Sequence, residues 1–414
     1  MRKASLGTIV FTVFLDLVGF GLVVPYLPGV ARGHGASDLT ATLLGSAFSL
    51  MQFLFVPFWG RLSDIKGRRP ILLASIAASA AGMILLGNAT SLWMLFAARI
   101  WSGISTANIS VAQAYIADVT KPEERAKGMA LIGVGIGTGF MLGPVIGGLL
   151  QAHSPLARAG ALPAFVAAGL SVINFLLALR YLPESLPEKD RGKKVRSASP
   201  FNLERFRGAL SFSGVRIALL VNFVVVFSFS GLEATFRLYT EDGFGMSDSG
   251  TGWVLGFSGV VLIFVQGLVY RRLSAVLSER ALIRAGVLIQ SVGFACVAAA
   301  PSADKLAVAA LVAGMGVIAL GSALTSPSVS SFVSRCADGQ SQGMVLGVLQ
   351  SAGALARVCG PGTGGLLYQT FGHRAPYLAA AVGMSVAGAV AISLKAPPVV
   401  ETAPTKPAAP QELS

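Results

Sequence analysis

The 414-residue chain is 54% hydrophobic and only 12% charged, with a formal net charge of +13. A soluble domain carries about 25% charged residues, so this composition, with a mean hydropathy of +0.71, excludes a water-solvated surface and points to a bilayer. Three cysteines (Cys296, Cys336, Cys359) without paired spacing argue against a disulfide framework and a zinc site, and three histidines (His34, His153, His373) fall in connecting loops as ordinary surface residues.

The apolar runs are continuous and do not alternate. That favours helices, each about 20 residues long and satisfying its own backbone hydrogen bonds, over a barrel. The first run, 6–29, passes through Asp16 and Pro25 without a small-residue cleavage site and reads as a span, not a removable signal. Runs at 41–59, 71–90, 92–116, 128–151 and 162–182 follow, the third and fourth nearly touching. The interruption "PESLPEKDRGKKVRSASPFNLERFRG" divides the chain near its midpoint, and runs at 212–236, 250–270, 281–300, 305–332, 344–369 and 375–394 complete the set. The expectation is an all-α polytopic membrane protein of about 12 helices: a six-helix half over 1–183, a linker over 184–210, a second half over 211–395 and a tail over 396–414.

Most lysines and arginines fall on one side of this topology, in the N-terminus, the 60–70 link, the 118–127 link, the linker and the tail. The positive-inside rule places those segments, with both termini, in the cytoplasm. The basic charge therefore meets lipid headgroups and not nucleic acid. The halves echo each other: "GPVIGG" (Gly143 to Gly148) recurs as "GPGTGG" (Gly360 to Gly365), and "GMALIG" at Gly128 recurs as "GMVLG" at Gly343, at nearly one offset. Parallel repeats of this kind are typical of secondary transporters, whose site lies between the repeats near the midplane.

Few charged residues fall inside spans, and such residues face a cavity or a partner. Asp16 lies deep in the first span, with Arg99 in span four as its expected partner in the same half. Burial favours the neutral form of a carboxyl and an adjacent cation the charged form, so an acid held between the two can exchange a proton; a structural ion pair is the plainer alternative. Arg357 in span eleven either lines the cavity or pairs with a backbone carbonyl. Glu233 is one turn from Arg237, a spacing that suits a local pair as well as a substrate role. Asn108, Gln113 and Asn222 are candidate hydrogen-bonding groups of the cavity. No nucleophile–base arrangement or metal-ligand cluster is present, "GVGIGTG" at Gly133 is inside a span and so cannot be a nucleotide loop, and no cofactor is implied.

Between spans two and three, "GRLSDIKGRRP" packs Gly60, Arg61, Asp64, Lys66, Gly67, Arg68 and Arg69 into one short link. It resembles the signature of the major facilitator superfamily. "RIWSG" in span four resembles that family's second motif, and "GFMLGPVIGG" (Gly139, Gly143, Pro144, Gly147, Gly148) the motif of its proton-driven antiporters. "LDLVGFGLVVPYLP" and "LMQFLFVPFWGRLSD" are similar to the tetracycline-type efflux branch; in the two superfamily motifs, Ile65 stands in place of the usual basic residue after Asp64 and Ser102 in place of the usual Gln before Gly103.

The resemblance implies a proton-coupled efflux antiporter for small lipophilic or cationic compounds. It would be a monomer with a small-molecule substrate and protons as partners, in the inner (plasma) membrane if the cell is bacterial. A metabolite symporter or facilitator, or a receptor that no longer transports, is the alternative. The link becomes a gate. When the cytoplasmic side is closed, Asp64 is expected to face the N-terminus of span eleven, whose partial positive charge attracts a carboxylate. Arg68 is expected to reach Asp118, with Gly60 and Gly67 allowing close backbone approach. In "GPVIGG", the glycines thin the helix for packing and Pro144 removes one backbone bond.

Overall fold

The computed structural model describes residues 6–120, 125–153, 160–188, 191–192, 203–212, 214–300, 304–337 and 341–395. The tail expected at 396–414 and most of the linker's centre lie outside the described residues. Among the described residues the secondary structure is helical throughout. Ten helical segments of the described residues are long and apolar enough to cross a membrane. In chain order they are span one Leu6–Gly33, two Asp38–Lys66, three Arg68–Gly87, five Leu131–Ala152, six Ala161–Tyr181, seven Val215–Phe244, eight Asp248–Leu273, nine Glu279–Ala299, ten Lys305–Arg335 and eleven Gln342–Phe371. The shorter Ala375–Ala391 is span twelve.

Span four is two helices, Leu92–Ser105 and Asn108–Val119. Hydropathy does not reveal this break, because no proline or glycine marks it. The backbone turns extended at Thr106, and Ser75 of span three takes up the groups this frees. Its hydroxyl donates to the Ser105 carbonyl at 2.6 Å and accepts from the Ala107 N–H at 3.0 Å. Irregular backbone at membrane depth survives only where protein supplies such partners.

The duplication is visible in the packing. Spans two and eight open identically, with Ser37 and Ser247 each accepting a hydrogen bond from the backbone three residues on (Thr40 and Gly250). In span five, a Cβ at Gly143 would stand 2.6 Å from the Gly21 Cα of span one. At the equivalent Gly360 of span eleven it would meet the Phe227 carbonyl of span seven at 2.6 Å. The last glycine of each motif faces the opposite half: Gly148 the Asp248 carbonyl of span eight at 2.5 Å, Gly365 the Leu39 Cα of span two at 3.1 Å. Small residues thus let backbones touch both within each half and across the seam.

The seam is not uniform along its length. Spans five and eight approach through Gly148, Gly252 and Gly259, and spans two and eleven through Gly45, Gly362 and Gly365. These contacts lie from mid-depth to the face opposite the Gly60–Arg69 link, here called the far face; the link marks the linker face.

Candidate transport cavity and its gates

A cavity of about 300 Å³ lies on the seam. Phe20, Phe48 and Phe140 form an aromatic wall, and the charged groups on its lining are Asp16, Arg99, Glu233 and Arg357, one from each of spans one, four, seven and eleven. Arg99 is only 2% exposed. Its guanidinium sits 4.2 Å from the Phe48 ring centroid and 5.8 Å from that of Phe20, a cation–π arrangement.

The expected pairing of Asp16 with Arg99 is not made. Arg99 shares the cavity lining with Glu233 of the other half, whose charge acts on both Arg99 and Arg357. The polar neighbour of Asp16 is Asn108, the first residue after the break in span four. Asn108 is buried, and among the described residues its carboxamide closes no hydrogen bond of normal geometry. The local Glu233–Arg237 pair is also absent. Arg237 engages Glu241 at 3.1 Å and Asp248, one turn and one loop further on, so Glu233 is left to the cavity. Arg357 is on the cavity lining. None of the three expected hydrogen-bonding groups is on the lining: Asn108 is buried beside Asp16, Gln113 is exposed, and Asn222 donates to the Leu349 carbonyl at 3.3 Å, binding span seven to span eleven. These placements follow from helix rotation, which a single apolar run leaves undefined.

At the linker face Gly67, with φ of 104°, separates spans two and three, a conformation that favours glycine. Arg68 then gathers the knot, meeting Asp64 at 2.6 Å, Asp118 at 3.0 Å and the Ser63 hydroxyl at 2.6 Å. Arg69 donates to the Leu182 and Leu179 carbonyls at the end of span six, both at 2.8 Å, while Arg61 is exposed. A Cβ at Gly60 would meet open space, so no close approach occurs there. The Asp64 carboxylate pairs with Arg68 of its own half; its contact with span eleven is expected in the state closed at the linker face, whereas the seam contacts here lie toward the far face. Glu184 is the residue that sequence reasoning missed. Its carboxylate accepts from the Arg68 and Arg69 N–H groups at 2.9 and 3.2 Å, capping span three. An acid just past a span is visible in sequence, but the helix start it reaches is not.

A second network, also unforeseen, closes the far face. Arg32 at the end of span one forks onto Asp242 of span seven at 2.9 and 2.8 Å and holds Asp38 at 2.7 Å. Tyr368 of span eleven donates to Asp242 at 2.6 Å, and Gln369 accepts from the Leu39 N–H at 3.1 Å.

Twin six-span halves around a charged central cavity find a match among known proteins. The Major Facilitator Superfamily model matches residues 9–357 and 218–413. The chain belongs to the Major Facilitator Superfamily. It is 33% identical over 360 residues to the tetracycline resistance protein, class C, of Escherichia coli, covering 86% of this chain and 88% of that one. It is 32% identical over 415 residues to Major facilitator superfamily domain-containing protein 10 of Homo sapiens, covering 89% and 88%. The crystal structure of the human organic anion transporter MFSD10 superposes with a TM-score of 0.71 at 27% identity, covering 93% of this chain and 98% of that one. The nucleoside transporter NupG superposes at 0.77 with 12% identity, covering 95% and 99%, which speaks to the fold alone. The chain is thus a multi-pass membrane transporter.

Proposed function

We propose that the chain is a proton-coupled efflux antiporter for small lipophilic compounds, working by alternating access. The observation that carries this is the seam cavity, whose aromatic wall holds ionisable groups from both halves. Asp16 is the group proposed to exchange a proton for substrate, with Asn108 beside it. The likeness to tetracycline resistance proteins supports efflux. The lysine and arginine bias assigns the linker face to the cytoplasm, inner membrane in a bacterial cell, so the seam contacts describe a carrier closed outside. The Arg32–Asp242 network is then the outer latch, and the Asp64–Arg68–Asp118 cluster belongs to the cytoplasmic gate.

Two arginines on the cavity wall favour a second reading, in which the solute is an organic anion carried together with a proton. The likeness to MFSD10, a human organic anion transporter, supports it. Both readings are tested in proteoliposomes by recording solute-dependent proton movement with a pH-sensitive dye. Protons moving against the solute support antiport and protons moving with it support the second reading; solute flux without proton movement defeats both.

A further inference from the structure

Arg99 has more hydrogen-bonding capacity than its surroundings use. Arg99 is 2% exposed, stacked on Phe48, and its Nε has no hydrogen-bond partner among the described residues. Arg357 approaches from the other half and lines the same cavity. Each guanidinium offers five N–H donors, whereas one carboxylate accepts about four hydrogen bonds. Glu233 is the carboxylate that acts on both arginines, and Asp16 is turned to Asn108 instead. A buried cation with unused donors is costly to keep in a fold, and a planar acid is the ligand that matches the guanidinium fork.

We propose that Arg99 and Arg357 form a subsite for the carboxylate of an aromatic acid whose ring body rests on Phe20, Phe48 and Phe140, with Glu233 as the resident counter-ion that the ligand's acid displaces. This rests on the organic-anion reading and adds the residues and the proton linkage. The charged groups on the cavity lining are two arginines and two acids, so a bound carboxylate adds one negative charge, and a proton on Glu233 restores the balance. The groups facing Glu233 are Arg99 from span four and Arg357 from span eleven, with Asp16 of span one on the same lining. Acid binding therefore strengthens as pH falls, and Glu233→Gln imitates the protonated state.

The test is binding to the purified full-length protein in detergent, followed by fluorescence between pH 5.5 and 8.5. The paired probes are 2-naphthoate with 2-naphthylmethylammonium, and pyrenebutyrate with its ammonium analogue. The acid of at least one pair is expected to bind tenfold or more tightly than its cation. Glu233→Gln is expected to tighten acid binding about tenfold at pH 7.5 and to flatten its pH dependence, and Arg357→Gln to weaken it at least tenfold. Thermal unfolding checks that each variant is folded, and Arg357→Lys, which keeps the charge and loses the fork, replaces Arg357→Gln if that variant is not. A preference for the cations, or weaker acid binding in Glu233→Gln, overturns the inference and leaves the cavity as a transport site. Failure of all four probes to bind overturns the inference together with the assignment of the cavity.

Discussion

Arg32→Ala removes the forked bond to Asp242 and the bond to Asp38 in one step. Both partners are partly exposed, with side-chain accessibilities of 24% for Arg32 and 36% for Asp242, so the full strength of a buried pair does not apply. Exposed ion pairs contribute about 0.2–1 kcal/mol, and a fork with good geometry adds specificity and strength. About 1–2 kcal/mol is a reasonable total, and that shifts a two-state population by roughly 5- to 30-fold. The far face should therefore open more often. Spin labels at Gly33→Cys and Phe371→Cys, in a background without native cysteines, would report this as growth of a longer-distance population by electron–electron double resonance. Asp242→Asn should do the same while keeping an acceptor for Tyr368. Since the two residues act through one bond, the double variant should shift little further than either single one. An unchanged distance distribution in Arg32→Ala, or fully additive effects, would refute the latch.

Asp64→Asn removes one acid from the Arg68 cluster and should lower turnover with little change in substrate affinity; normal turnover would exclude a gating role. Gly143→Leu should destabilise by about 1–3 kcal/mol through overpacking, because a Cβ there already stands 2.6 Å from the Gly21 Cα. Gly7→Leu, at an exposed position, should be tolerated, and equal melting temperatures would contradict the close packing. Ser75→Ala should cost about 1–3 kcal/mol by leaving the Ala107 N–H buried and unpaired, whereas Ser75→Thr, which retains the hydroxyl, should recover part of the loss in detergent melting curves.

The spans, the two halves and the cavity acids were legible because hydrocarbon admits only long apolar helices and makes every charge within them conspicuous. "GPVIGG" and "GPGTGG" announced the duplication, and the helices do pack through them symmetrically. What could not be read were relations set by helix rotation and long-range contact. Asp16 and Arg99 share a half and suggested a pair, yet the neighbour of Asp16 is Asn108 and Arg99 shares the cavity with Glu233 from across the seam. Arg32 and Asp242 are separated by 210 positions, and no local pattern joins them. The Thr106–Ala107 break follows from Ser75, a residue of another span. Glu184 looked like linker charge until its partner, the start of span three, was in view.

The central claim is that a titrating carboxyl at Asp16 couples proton movement to transport. Asp16→Asn cannot exchange a proton, so in proteoliposomes it should fail to accumulate substrate against an imposed pH gradient while still exchanging substrate for substrate in counterflow; Asp16→Glu should retain part of the uphill activity. If Asp16→Asn still concentrates substrate under a pH gradient, the coupling site is elsewhere and Glu233, which faces both cavity arginines, becomes the residue to test.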